Sequence, residues 1–156
     1  YKARNNPNPV KEKLTYYFKD LKDWADARKI VINHDGFGPL NSPKVFPVNS
    51  VKAMRGSFMF LDEGGIENYL NSIFYAYWTD GLDISLEENL TSIVENLNVD
   101  SNKFLNFIQL QDTKDRLKNN TQELIDRGGF GSPTFFVNEK DMYFGQDRIS
   151  LIEMLL

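Results

Sequence analysis

Gly131-Ser132-Pro133-Thr134-Phe135-Phe136-Val137, then Met142-Tyr143-Phe144, then Gly145-Gln146-Asp147-Arg148, is the stretch whose reading decides the fold. Thr134–Val137 is β-branched and aromatic, the composition of a strand. Asn138–Asp141 reads as a turn and Met142–Phe144 as a second strand, so the two form a hairpin. Asp147 is placed to cap a terminal helix that turns Ile149, Ile152 and Leu156 inward. Two antiparallel strands are marginal alone and need partners. The only other candidate strand in the row is the short run Ile30-Val31-Ile32. The row opens on Tyr1 and closes on Ile152-Glu153-Met154-Leu155-Leu156 in a helical pattern. The expectation is a piece of a longer chain, with the missing strands upstream of Tyr1.

Before the hairpin the grammar is helical. Tyr1–Pro9, with Asn5-Asn6-Pro7-Asn8-Pro9, reads as a loop, since proline holds its predecessor extended. From Val10, Leu14, Phe18, Leu21 and Ala25 recur at helical spacing with Trp24 beside them, while Lys19, Asp20, Lys22 and Asp23 fill a wet face. His34–Pro47 is rich in Gly, Pro and Asn and reads as irregular. Asn49 or Ser50 can cap a helix through Leu61, which Gly64-Gly65 ends. Ile66, Tyr69, Leu70, Ile73, Phe74 and Tyr77 then follow the helical template without a miss. Ser85-Leu86-Glu87-Glu88 has the form of a capping box for a helix to about Asn96. Asp100 or Ser101 caps a helix carrying Phe104, Phe107 and Ile108. A last one runs from about Thr113 to Arg127 with Leu117, Leu124 and Ile125 as its dry stripe, stopped by Gly128-Gly129. The expected organisation is a mainly helical segment over 1–127, then the hairpin and closing helix over 128–156.

Composition narrows the function classes. The chain has 156 residues, 41% of them hydrophobic and 26% charged, with 12 Phe, 7 Tyr and 2 Trp to build a core, so disorder is disfavoured. Its 18 Lys+Arg against 22 Asp+Glu give a net charge of −4, which argues against a nucleic-acid partner. The longest run free of charge, Asn68–Thr79, is too short to cross a bilayer. With no cysteine, the chain holds no disulfide, redox pair or thiolate nucleophile. With one histidine, His34, a His-rich zinc site or a Ser-His-Asp triad is disfavoured. Asp80, Asp83, Glu87 and Glu88 lack calcium-loop spacing. No metal is expected, and without a visible leader the expected compartment is the cytoplasm.

Two stretches can carry chemistry. Gly129-Phe130-Gly131-Ser132-Pro133 lacks the pattern of a phosphate loop. It reads either as a helix stop and strand entry, or as a cis-proline whose preceding residue offers its backbone to an extended peptide. Phe144-Gly145-Gln146-Asp147-Arg148 lies at a strand–helix junction. The helix mouth can hold a carboxylate, Asp147 an ammonium, and the Gln146 amide either one, a set that suits an amino-acid zwitterion. On position alone, the simpler role for Asp147 is an N-cap. Lys13, in the first turns of the first helix, matters only if it faces an anion.

These residues resemble one family. Gly131–Val137 with Phe144–Arg148, Lys13-Leu14-Thr15-Tyr16 with Lys19-Asp20-Leu21 and Trp24, Phe46-Pro47-Val48-Asn49-Ser50 with Ala53-Met54-Arg55, Tyr77-Trp78 and Asp83-Ile84-Ser85 occur in its order. The family is the DsbA-like thioredoxin-fold branch that includes kappa-class glutathione transferases and 2-hydroxychromene-2-carboxylate isomerases. The resemblance implies an α/β thioredoxin-like fold interrupted by a large helical insertion, its first strands preceding Tyr1. It implies glutathione as cofactor, with Ser132 and Pro133 at the cysteinyl group and Phe144, Gly145, Gln146 and Asp147 at the γ-glutamyl end. Lys13 and an asparagine of the loop, Asn6 or Asn8, would reach glutathione or a small carboxylate substrate. The family's reactive serine has no counterpart in this row. The activity implied is a glutathione-dependent isomerase, in which a thiol of ordinary pKa about 8.5 must be poised as thiolate. The alternatives are a DsbA-like thiol–disulfide oxidoreductase, a kappa-like glutathione transferase, and a non-catalytic helical binding module. The aromatic-rich helical segment could also support a homodimer.

Overall fold

The computed structural model describes residues 11–32 and 48–156. The expected loops at Tyr1–Pro9 and His34–Pro47, and with them Asn6, Asn8 and His34, lie outside these residues. The chain divides into two compact units, Tyr1–Gln109 and Leu110–Leu156. The sequence reading put the division at 127/128, after the last long helix rather than before it.

The first unit carries α1 (Lys11–Arg28), α2 (Val51–Glu63), α3 (Ile66–Trp78), α4 (Glu87–Asn96) and α5 (Ser101–Gln109). On α1 the wet face forms as its spacing requires, with Lys19 paired to Asp23 and Lys22 to Asp26. Ala25 is buried, but Trp24 is 55% exposed and takes the Arg28 guanidinium over its ring at 5.7 Å. The helix stops with Lys29 at φ 57, while the Lys29 and Ile30 amides bond back to Asp26 and Ala25 at 3.1 and 2.8 Å, a Schellman ending. Ile30–Ile32 forms no strand. A strand needs a ladder to satisfy its amides, and this segment instead gives the Val31 carbonyl to the Thr79 hydroxyl at 2.5 Å.

The core lies among α2 to α5. α2 packs on α3 and α5, and α4 packs on both of those as well. Ala53, Met59, Phe60, Tyr69, Ile73, Ala76, Leu90, Val94, Phe104 and Ile108 form its buried cluster. At its centre Tyr69 stacks on Phe60 with ring centroids 4.3 Å apart and donates its hydroxyl to the Ala53 carbonyl at 2.8 Å. Gly56 makes this approach possible: a Cβ there would lie 2.5 Å from both the Tyr69 hydroxyl and Phe104 Cε2. On α3, Tyr69, Ile73, Ala76 and Tyr77 turn inward, whereas Leu70 and Phe74 stay exposed. The six-residue stripe read from the sequence covers a wider arc than α2 and α4 can bury.

Helix entry follows competition between nearby side chains. Asn49 Oδ1 accepts the Val51 amide at 3.1 Å, while Ser50 makes no capping bond. Asp100 caps α5 through the Lys103 amide at 2.6 Å. The expected capping box at Ser85 does not form. Asp83 Oδ1 accepts both the Ser85 amide at 2.9 Å and its hydroxyl at 2.6 Å, so the hydroxyl does not reach the Glu88 amide and α4 begins at Glu87.

The second unit carries α6 (Gln111–Asp126), β1 (Thr134–Val137), β2 (Asp141–Phe144), a 3₁₀ turn Gln146–Arg148 and α7 (Ile149–Leu155). The dry stripe expected on α6 is only half-buried at Leu117 and Leu124 and exposed at Ile125. Gly128 ends the helix at φ 85, a conformation a glycine adopts cheaply. The Gly129 amide reaches back to the Leu124 carbonyl at 2.8 Å. Arg127 then ties α6 to the hairpin. Its guanidinium lies 3.7 Å from the Phe136 ring centroid, pairs with Glu123 at 3.1 Å and bonds the Glu139 carbonyl at 3.4 Å. The strands are antiparallel, Thr134 opposite Phe144 and Val137 opposite Asp141. Asp141 thus belongs to the strand and not to the turn.

Two outcomes follow from the core. Gly56→Ala should destabilise the full-length protein by about 1–3 kcal/mol in urea unfolding, because overpacking outweighs the helix-propensity gain of about 1 kcal/mol. Burial pushes the Tyr69 hydroxyl pKa upward. Above about pH 10 the unfolded tyrosine loses its proton while the folded one keeps it, so stability falls by about 1.4 kcal/mol per pH unit from this group. Tyr69→Phe should flatten the alkaline limb of a stability–pH curve by that slope and leave the limb below pH about 9 unchanged in shape.

Candidate functional site

The hairpin of the second unit positions the candidate site. One step beyond the Thr134–Phe144 pair, the Gly145 amide donates to the Pro133 carbonyl at 3.0 Å. That bond places the loop entering β1 beside the turn leaving β2. The Ser132–Pro133 peptide is cis, and the Thr134 hydroxyl donates to the Gly131 carbonyl at 2.6 Å. Phe144 lies over Gly131, where a Cβ would come within 2.7 Å of its ring. Phe130 also packs against that ring, centroids 4.7 Å apart and tilted by 47°. Ser132 is exposed and Pro133 half-buried.

Beyond β2, Gly145 takes φ 106, and a Cβ there would sit 2.6 Å from Asp147 Oδ1. Asp147 does not cap a helix. Gln146–Arg148 is a 3₁₀ turn preceded by Gly145, with no side-chain capping bond, and α7 behind it has 7 residues. The helix mouth expected to hold a carboxylate is therefore weak: the turn is tight and the following dipole short. The Asp147 carboxylate instead lies 3.2 Å from the Arg148 guanidinium, the two side chains 62% and 51% exposed. Sequence reasoning gave Arg148 no role. The signal was the adjacency of an acid and a base directly after a strand, which reads equally well as a surface pair.

Of the expected site residues, Ser132, Pro133, Phe144, Gly145, Gln146 and Asp147 thus stand on two neighbouring segments of one unit. Lys13 lies exposed on α1 in the first unit, and Asn6 and Asn8 fall outside the described residues. Among the described residues no group of three or more His, Asp or Glu is arranged to hold a metal ion, and no helix is long and apolar enough to cross a membrane.

The profile of the DsbA-like thioredoxin domain matches residues 2–156. The chain belongs to that family. Among curated relatives it is 29% identical over 143 residues to the 2-hydroxychromene-2-carboxylate isomerase of Pseudomonas sp. (strain C18), covering 90% of this chain and 61% of that protein. It is 30% identical over 146 residues to the isomerase of the same name from Pseudomonas putida, covering 92% of this chain and 66% of that one. The chain therefore spans somewhat under two thirds of the length of these relatives. A solved structure of 2-hydroxychromene-2-carboxylate isomerase superposes with a TM-score of 0.73 at 29% identity, over 96% of this chain and 70% of that one. The fold is thus DsbA-like thioredoxin, mostly helical, with the hairpin as its described sheet.

Gly145→Ala tests how the turn holds Asp147. The positive-φ extended backbone at Gly145 costs an alanine about 1–3 kcal/mol, and its methyl group displaces the carboxylate. The expected result is a loss of stability of that order in urea unfolding, with altered Asp147 and Arg148 side-chain resonances.

Proposed function

We propose that the protein containing this chain is a glutathione-dependent isomerase acting on an aromatic carboxylate, of the kind its relatives are named for. The observation that carries the reading is the opposite-charge pair of Asp147 and Arg148, held next to the Ser132–Pro133 loop by the Gly145–Pro133 bond. A γ-glutamyl group is an amino-acid zwitterion. Asp147 would take its ammonium and Arg148 its carboxylate, the latter by a planar fork suited to bidentate contact. Gln146 would bond whichever group lies nearer. Gly145 fits the same purpose, since a side chain there would crowd the Asp147 carboxylate.

The exposed Ser132 would offer its backbone to the cysteinyl residue as one strand pairs with another, and Phe144 would wall the peptide. Lys13, with Asn6 or Asn8, would meet a glycyl or substrate carboxylate. When bound, glutathione supplies a thiol nucleophile able to add to a conjugated double bond and so permit isomerisation about it. The residues of this chain bind and orient; none of them is assigned the reactive role.

The test is a calorimetric titration of the full-length protein with glutathione. Saturable binding is expected, weakened about tenfold in Asp147→Ala through loss of one charge-assisted contact. No saturable binding, or an unchanged affinity in Asp147→Ala, would remove this reading.

A further inference from the structure

Charge is unevenly spread along the chain. From Ile66 through Val99 there is no lysine, arginine or histidine against six acids, although the whole chain sets 18 bases against 22 acids. That span is α3, the turn after it and α4, and residues of all three line a groove of about 550 Å³ within the first unit. Ala76, Leu82 and Ile93 give it an apolar lining, and the ring of Tyr75, 58% exposed, stands beside them. Two of its polar side chains have already spent a donor. The Asn89 amide nitrogen donates to the Asp83 carbonyl at 2.9 Å and the Ser92 hydroxyl to the Glu88 carbonyl at 3.0 Å, which leaves their oxygens to accept. Asp80 is the one charged residue of the lining. It has no ion pair among the described residues, and neither have Glu88 and Glu95, a turn to either side of Ser92. The other acids nearby are committed, Glu87 to Lys52 at 2.8 Å and Asp83 to Ser85.

That lining specifies a ligand class. The volume lies within the range of small-molecule sites, roughly 300–1,000 Å³. A carboxylate and neighbouring acceptors with no base beside them match a ligand that is cationic and rich in N–H donors. An anion would meet Asp80 and find no partner of its own. A divalent metal ion needs several oxygen ligands converging on one point, and among the described residues no group of three His, Asp or Glu does so. The apolar lining adds a second requirement, that the charged centres be separated by methylene groups. An exposed tyrosine ring can take an ammonium over its face. We propose that this groove binds an extended aliphatic polyamine, with one ammonium at Asp80, methylene segments along Ala76, Leu82 and Ile93, and a further ammonium over Tyr75. Glu88 and Glu95 attract the same ligand from the rim. The proposal goes beyond the glutathione reading and does not depend on it.

The test uses the full-length protein and spermidine as probe, with affinities from calorimetry at near-physiological salt, where diffuse surface attraction is screened. Saturable binding of spermidine is expected, weakened about tenfold by Asp80→Asn through loss of one charge-assisted contact and about threefold by Tyr75→Ala. Both side chains are exposed, so neither substitution opens the core. Glu67→Gln removes an acid of the same span that does not line the groove, and it should change the affinity by less than about twofold. Magnesium chloride titrated in place of spermidine should show no saturable binding. Absence of saturable spermidine binding overturns the proposal. So does a loss in Glu67→Gln as large as that in Asp80→Asn, or binding of magnesium as tight as that of spermidine, since either means that the acidic surface attracts cations without a site.

Discussion

One backbone hydrogen bond, from the Gly145 amide to the Pro133 carbonyl, sets the candidate site. It lengthens the β1–β2 ladder by one step, so the loop entering one strand and the turn leaving the other are held together as parts of one sheet. A main-chain bond does not depend on the side chain at either end. Residues at 132, 146, 147 and 148 can therefore be chosen for what they bind, and the geometry survives the choice. Side chains enter as constraints at Gly131, which lies under the Phe144 ring, and at Gly145, whose backbone and whose space beside Asp147 both exclude a Cβ.

The first unit depends on a different economy of space. Its helices are short and several lack side-chain caps, so tertiary packing has to supply most of their stability. Gly56 lets Tyr69 lie close enough to α2 to stack on Phe60 and bond the Ala53 carbonyl at once. The buried hydroxyl is thereby satisfied; unpaired, it would cost about 1–3 kcal/mol. The polar atom that could have weakened the core fixes the approach of α3 to α2.

Elements whose signals are contiguous were legible. Gly128 ends α6 and Asp100 opens α5 because each motif closes within a few residues of itself. The hairpin was legible for the same reason, whereas the 132–133 loop and the 144–147 turn were brought together only by the family resemblance. What failed involved a competitor or a neighbour. Ser85 and Glu88 spell a capping box, but Asp83, two residues upstream, offers a stronger charged acceptor. Leu70 and Phe74 fit the periodicity of α3, yet periodicity does not say how wide a face the neighbouring helices will cover. Ile30–Ile32 has strand composition without a strand to pair with. Asp147 looked like a cap because the terminal helix was read from its first residue, whereas the chain leaves β2 through a 3₁₀ turn and starts the helix later.

The exposure of the Asp147–Arg148 pair is itself informative about what it can do. Ion pairs this open to solvent contribute about 1 kcal/mol or less, so separating the two groups to admit a ligand costs little. A zwitterion replaces the one weak contact with two, each charge meeting its opposite, and no ion is left unmatched. A buried pair would behave in the other way, since each partner would lose a contact that its desolvation had made necessary. Weakness in the free protein is thus what the role proposed for this pair requires.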